Sequence, residues 1–198
     1  MQLFVTARSH FSRKVRLLLD HYGLDYELVD VGNAADQNME LFQGNPLMQV
    51  PVLRDKDLWL IESDHIAAHI VRRHDPHDRF RVLTDDTAIL NTRAVINGIM
   101  ADEVKIVLAE RTGLDTQPHA FFQKARAAIE NGLQWLEGQA MFFNTEHPGY
   151  LEFHLVSLWD HLKIYGLVPL DYPALGSIAQ ELNRQEATAR SQPPPIAV

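Results

Sequence analysis

The chain has 198 residues, no cysteine, 46% hydrophobic residues and a formal net charge of -8. That length accommodates one domain or two small ones with a sizeable core, and an acidic chain without a basic stripe argues against nucleic acid as a partner. The lack of cysteine excludes disulfides, zinc–thiolate sites and a protein-thiol nucleophile, and with neither a signal-like apolar core nor a run approaching the ~20 residues of a membrane span, a cytoplasmic protein with no membrane partner is expected.

Leu3-Phe4-Val5 reads as a short buried strand. The chain then turns through Ala7-Arg8-Ser9-His10 and enters a helix at about Phe11 or Ser12. Phe11, Val15, Leu18, Leu19 and Tyr22 fall on one helical face. Arg13, Lys14 and Arg16 lie largely off that face and read as solvated cations. A strand-to-helix turn presents free N–H groups and the positive end of the helix dipole, so it can hold an anion. Ser9 or Ser12 can cap such a helix or donate a hydrogen bond to a bound anion. Gly23 closes the helix, and residues 26–31, YELVDV, alternate as a strand, which predicts a βαβ unit. Met39, Leu41 and Phe42 suggest one short helix.

Val50-Pro51-Val52-Leu53 and Leu58-Trp59-Leu60-Ile61 form a predicted hairpin turning at residues 55–57. A proline in a strand-like run belongs at a strand start or edge, and a cis Val50–Pro51 bond is expected. The Val50 backbone is then left to pair with an extended, peptide-like ligand. Ser63 is the predicted N-cap of a helix that buries Ile66, Ala67, Ile70 and Val71. His65 and His69 are one turn apart on it, but no third ligand completes a metal site, so no metal is expected.

Strand signals stop after about residue 78, and a long helix is predicted from Thr84-Asp85-Asp86. A sheet-bearing unit over 1–77 and an all-helical unit over 84–198 are therefore expected, joined by a linker at 78–83. Ser157-x-x-Asp160 has capping-box spacing and predicts a helix start. Trp135 and Trp159 read as core, His154 and His161 as surface or packing residues, and Gln192-Pro193-Pro194-Pro195 as a frayed tail.

Taken together, residues 9–16, Asn45-Pro46 through Leu53, Glu62-Ser63 and Ser157-x-x-Asp160 resemble the cytosolic glutathione transferase family across nearly the whole chain. The resemblance implies a thioredoxin-like N-terminal domain, βαβαββα, followed by an α-helical domain. It implies a serine-type transferase that joins the glutathione thiolate to a small hydrophobic electrophile, needs no cofactor beyond glutathione as co-substrate, and forms a homodimer. Ser9 matches the hydroxyl that contacts the sulfur, with His10 and Ser12 as possible support. Val50, ahead of Pro51, matches the residue whose backbone pairs with the cysteinyl part. Glu62 and Ser63 match the pair at the γ-glutamyl end, and Gln49 stands near the glycyl carboxylate. Met100 and Val104 on the long helix are candidates for the electrophile pocket. Three positions depart from the family: His10 replaces a frequent proline, Gln49 a frequent lysine, and Phe153-His154 an expected glycine. The competing reading is a binding or regulatory protein that keeps this fold without catalysis.

Overall fold

A computed structural model describes residues 1–196. Strand β1 (Gln2–Val5) leads into helix α1 (His10–Tyr22), followed by β2 (Glu27–Asp30), a 3₁₀ turn at Met39–Phe42, β3 (Val52–Asp55), β4 (Leu58–Ile61) and α2 (Ser63–His74). The helices α3 (Thr87–Arg111), α4 (Ala120–Gly138), α5 (Tyr150–Tyr165), α6 (Pro173–Leu182) and α7 (Glu186–Arg190) complete it. The sheet order is β2-β1-β3-β4, with β1 parallel to β2 and antiparallel to β3, and β3 antiparallel to β4. This is the expected thioredoxin-like order, and the short helix expected around Met39, Leu41 and Phe42 is a single 3₁₀ turn.

Helix α1 begins one residue earlier than predicted, because Ser9 caps it: its Oγ accepts from the Ser12 N–H. It ends at Gly23, whose left-handed φ of 64° suits a residue without a Cβ. The apolar face packs as periodicity dictates, with Val15, Leu18 and Leu19 against Leu3, Val5, Ile66 and Ile70. The cations behave otherwise. Arg13 and Lys14 are buried, and Arg16 is half-buried. The face they occupy meets α5 rather than water, so both of the deepest cations need polar partners there.

Helix α5 is the central element, with 12 of its 16 residues buried. Phe153 and Val156 join the sheet-side core, while Leu151, Leu155, Leu158 and Leu162 join the core of the helical half. It starts at Tyr150, so the Ser157-x-x-Asp160 spacing does not mark a helix start. Its end is held instead by Glu152, which accepts from the Gly149 N–H at 2.7 Å and the Asn144 N–H at 2.8 Å. Ser157 is a mid-helix residue, and Asp160 pairs with Arg13. Trp159 is core as expected, but Trp135 is 41% exposed. The tail is not free: Arg8 donates to the carbonyls of Pro194 and Pro195.

Candidate active site

Four segments open onto one cavity of about 660 Å³. They are the β1–α1 turn, the loop before β3, the β4–α2 junction and one face of α3, with His161 and Tyr165 of α5 closing the wall. Ser9, His10, Gln49, Val50, Pro51, Glu62, Ser63 and Val104 all line it. Two candidates do not. Ser12 is buried behind Ser9, and Met100 is fully buried in the helical core, one step around α3 from the stripe that faces the cavity.

Ser9 sits at the mouth of the α1 dipole. Its Oγ accepts from the Ser12 N–H at 3.1 Å and from the Ser12 hydroxyl at 2.9 Å. A hydroxyl has two acceptor positions and one proton. Both acceptor positions are thus taken from behind, and the proton is left for an acceptor in the cavity.

The loop at 45–51 is shaped by Asn45, which is buried. Its Nδ2 donates to the Gln49 carbonyl at 2.8 Å and its Oδ1 accepts from the Leu47 N–H at 3.0 Å. The Val50–Pro51 bond is cis. Val50 stands just outside the sheet ladder, which begins at Val52.

Glu62, not Ser63, caps α2. Its carboxylate accepts from the Asp64 and His65 N–H groups and, at 3.0 Å, from the Ser63 hydroxyl. The backbone at Glu62 has φ 71°, a conformation that disfavours a side-chain-bearing residue. Ser63 is the first helical residue, held at the cavity wall.

Beneath Ser63 lies a buried polar network. Lys14 Nζ donates to Asp64 Oδ1 at 2.8 Å and Asn97 Oδ1 at 2.9 Å, and lies 2.9 Å from His154 Nε2. The Tyr150 hydroxyl donates to Asp64 Oδ1 at 2.9 Å. His154 Nδ1 lies 2.7 Å from the Tyr150 carbonyl, so it carries the proton and Nε2 accepts from Lys14. Burial pushes Lys14 down to about 8 against the opposing pull of Asp64. Burial and the Lys14 charge push His154 down to about 4. Burial alone would raise the Asp64 carboxyl, but its charged and hydrogen-bonding neighbours, the Lys14 ammonium among them, outweigh it and hold it well below the usual carboxylate range. His154, expected as a surface or packing residue, thus belongs to the support of the site.

The sequence reading did not find Lys105, Arg111, Tyr165 or His161, all of which line the cavity. The first two were within reach of it. Ala101, Val104, Lys105, Leu108 and Arg111 form one stripe along α3, so the choice of Val104 implied the rest.

A small sheet layer whose helix-entry turn, cis-proline loop and α2 N-terminus meet at a cavity walled by a helical layer defines a thioredoxin-like fold. Residues 8–73 match the family described as glutathione S-transferase, N-terminal domain. That match covers a third of the chain and likens residues 8–73 to the N-terminal domain of glutathione transferases. Over 78 residues it is 38% identical to glutathione S-transferase 4 of Zea mays, an alignment covering 38% of this chain and 35% of the maize protein. The chain thus spans about a third of the length of the curated relatives it matches. The fold extends further than the sequence match. A glutathione S-transferase from Methylobacterium radiotolerans, solved with glutathione sulfonate, superposes with a TM-score of 0.82 over 100% of this chain and 96% of its own, at 22% identity. One from Methylobacillus flagellatus, solved with glutathione, gives 0.83 over 98% and 99%, at 21% identity.

Proposed function

We propose that the chain is a glutathione transferase in which Ser9 stabilises the thiolate of bound glutathione and an electrophile is received against the α3 stripe around Val104. The observation that carries this reading is the Ser9 hydroxyl, lining the cavity with both acceptor positions filled by Ser12. A free thiol has a pKa of about 8.5. Making the thiolate dominant at neutral pH requires a drop of about two pH units, or ~2.7 kcal/mol. One hydrogen bond to a charged group contributes ~1.5–3 kcal/mol, and a helix N-terminus adds ~0.3–1 kcal/mol. The two together reach the requirement without a metal ion.

In the same reading the Val50 backbone pairs with the cysteinyl part, Glu62 and Ser63 hold the γ-glutamyl end, and Gln49 lies by the glycyl carboxylate. Arg8, Lys105 and Arg111 are the cations of the cavity wall. The protein acts as a homodimer in the cytoplasm. Exposed Met39 and Leu41, on the 3₁₀ turn before β3, support a covered surface there. The reading is tested by titrating glutathione into the protein while following thiolate absorbance against pH. Binding with a depressed thiol pKa is expected. No binding would leave a regulatory protein of the same fold as the better account.

A further inference from the structure

Three side chains that the proposed chemistry does not use meet at the cavity floor. They are His10 at the start of α1, Glu103 in the middle of α3 and His161 near the end of α5. All are buried, at 1%, 0% and 5% exposure. His161 Nδ1 lies 2.8 Å from Glu103 Oε1, and His10 Nε2 lies 3.5 Å from Glu103 Oε2. The two imidazoles are stacked, with centroids 4.1 Å apart and planes 27° apart. Among the described residues neither carboxylate oxygen, nor His161 Nδ1, nor His10 Nε2 makes a hydrogen bond of good geometry, so the two rings approach Glu103 as close charge partners rather than as aligned donors. A carboxylate without solvent and without an amide or cation to satisfy it is costly.

The stacked rings bring one nitrogen each to the two oxygens of one carboxylate. The tautomers agree with this. His10 Nδ1 accepts from the Phe11 N–H at 3.1 Å, which places the proton of its neutral ring on Nε2, toward Glu103. Burial, with the charges of His161 and Lys14, pushes His10 down, so it stays neutral. His161 Nδ1 is the nitrogen nearest Glu103, which leaves Nε2 as the nitrogen open to a proton. His161 lines the cavity and stacks on His10, the residue next to Ser9.

We propose that His161, held and charge-balanced by Glu103, accepts the proton of the bound thiol. The S–H bond breaks, its electron pair stays on sulfur as the thiolate that Ser9 stabilises, and the proton forms a new N–H bond at Nε2. The resulting imidazolium lies between a thiolate and a carboxylate, an arrangement that favours the charged pair. His10 is a positioning residue that fixes the second oxygen of Glu103. The other titratable groups facing His161 are Tyr165 on its own helix, with ring centroids 4.6 Å apart, and, across the cavity, Lys105 and Arg111 of α3.

This rests on the proposed glutathione site, and one measurement separates the two. Glutathione is titrated calorimetrically into the full chain in buffers of different ionisation enthalpy, slightly above the ordinary imidazole range of about 6.5. Thiolate absorbance is read in parallel. Thiolate formation with close to no proton released to buffer is the expected result, because the proton stays on His161. In His161→Gln and in Glu103→Gln, thiolate that forms should release close to one proton, and the thiol pKa should rise. Glutathione binding in which wild type forms thiolate and releases a full proton would overturn this role alone. No glutathione binding would overturn the site and this role together. The wild-type measurement decides the matter even if either variant fails to fold.

Discussion

Ser9 caps α1 and, in the proposed function, donates from the same atom to a bound thiolate; a substitution separates the two. As cap it accepts from the Ser12 N–H, and Ser9→Ala should lower stability by about 1 kcal/mol. As donor it should be worth ~1.5–3 kcal/mol to a thiolate, so the same variant should raise the bound thiol's pKa by roughly one to two pH units while glutathione affinity changes little. Thiolate absorbance against pH reads the second effect and thermal unfolding the first. Ser12→Ala raising the pKa with Ser9→Ala silent would reverse the assignment. Glu62 poses a similar problem, since its carboxylate caps α2 at a strained φ of 71°. Glu62→Ala and Ser63→Ala should each weaken glutathione binding. Glu62→Gly should weaken it as much while recovering stability relative to Glu62→Ala, because glycine adopts that backbone freely. Calorimetric affinity beside unfolding midpoints tests this. At this scale much was legible. The residues at the three turns were found because strand-to-helix turns, a proline in a strand run and an acid–serine pair each leave a chemical signature. Met100 was wrongly placed at the cavity because a periodicity argument cannot say which stripe of a helix buried on several sides faces it. His10, Glu103 and His161 were not grouped, since no spacing links residues on three different helices.

Elements were legible where one face meets water. β4 has the predicted bounds and α1 the predicted apolar face. Helix α5, buried nearly all round, has no clear period, and a serine and an acid three residues apart imitated a start inside it. The true start depends on Glu152, whose buried carboxylate takes the Gly149 and Asn144 N–H groups. A larger residue at Gly149 would be tightly packed, since a Cβ there would lie 3.0 Å from the Phe80 carbonyl oxygen. That same oxygen accepts from the Tyr150 N–H at 2.8 Å, which ties the segment after α2 to the first residue of α5. Glu152→Ala removes two hydrogen bonds to a charged acceptor, each worth ~1.5–3 kcal/mol. The expected outcome is a loss of several kcal/mol in denaturant unfolding, with Glu152→Gln intermediate. An unfolding midpoint unchanged in Glu152→Ala would show that the helix end is held by the Phe80 contact instead.

Across the whole molecule, the cations read as solvated instead join the first helix to the helical layer. Arg13 donates to Asp160 at 2.7 Å, to the Val156 carbonyl and to Ser191, and so reaches α5 and the segment after α7. Lys14 reaches Asp64 of α2, Asn97 of α3 and His154 of α5. A long aliphatic stem lets such a residue pass through a core and place its charge on the far side, which a pattern of apolar positions cannot register. The arrangement makes stability depend on pH through His154. Its folded pKa lies near 4, below the ordinary imidazole value of about 6.5. Between those values the unfolded chain binds the proton and the folded chain does not, so stability is intact above pH 6.5 and declines as pH falls toward 4, by roughly 3 kcal/mol in all. The physical reason is that Nε2 accepts from Lys14, and protonating it sets two cations against each other in a space without water. His154→Gln keeps an acceptor but cannot titrate. Denaturant unfolding free energies measured from about pH 7 to pH 4 should therefore fall less steeply in His154→Gln than in the wild type. Parallel curves would place the acid sensitivity elsewhere and show that Lys14 yields its proton, or its position, before His154 gains one.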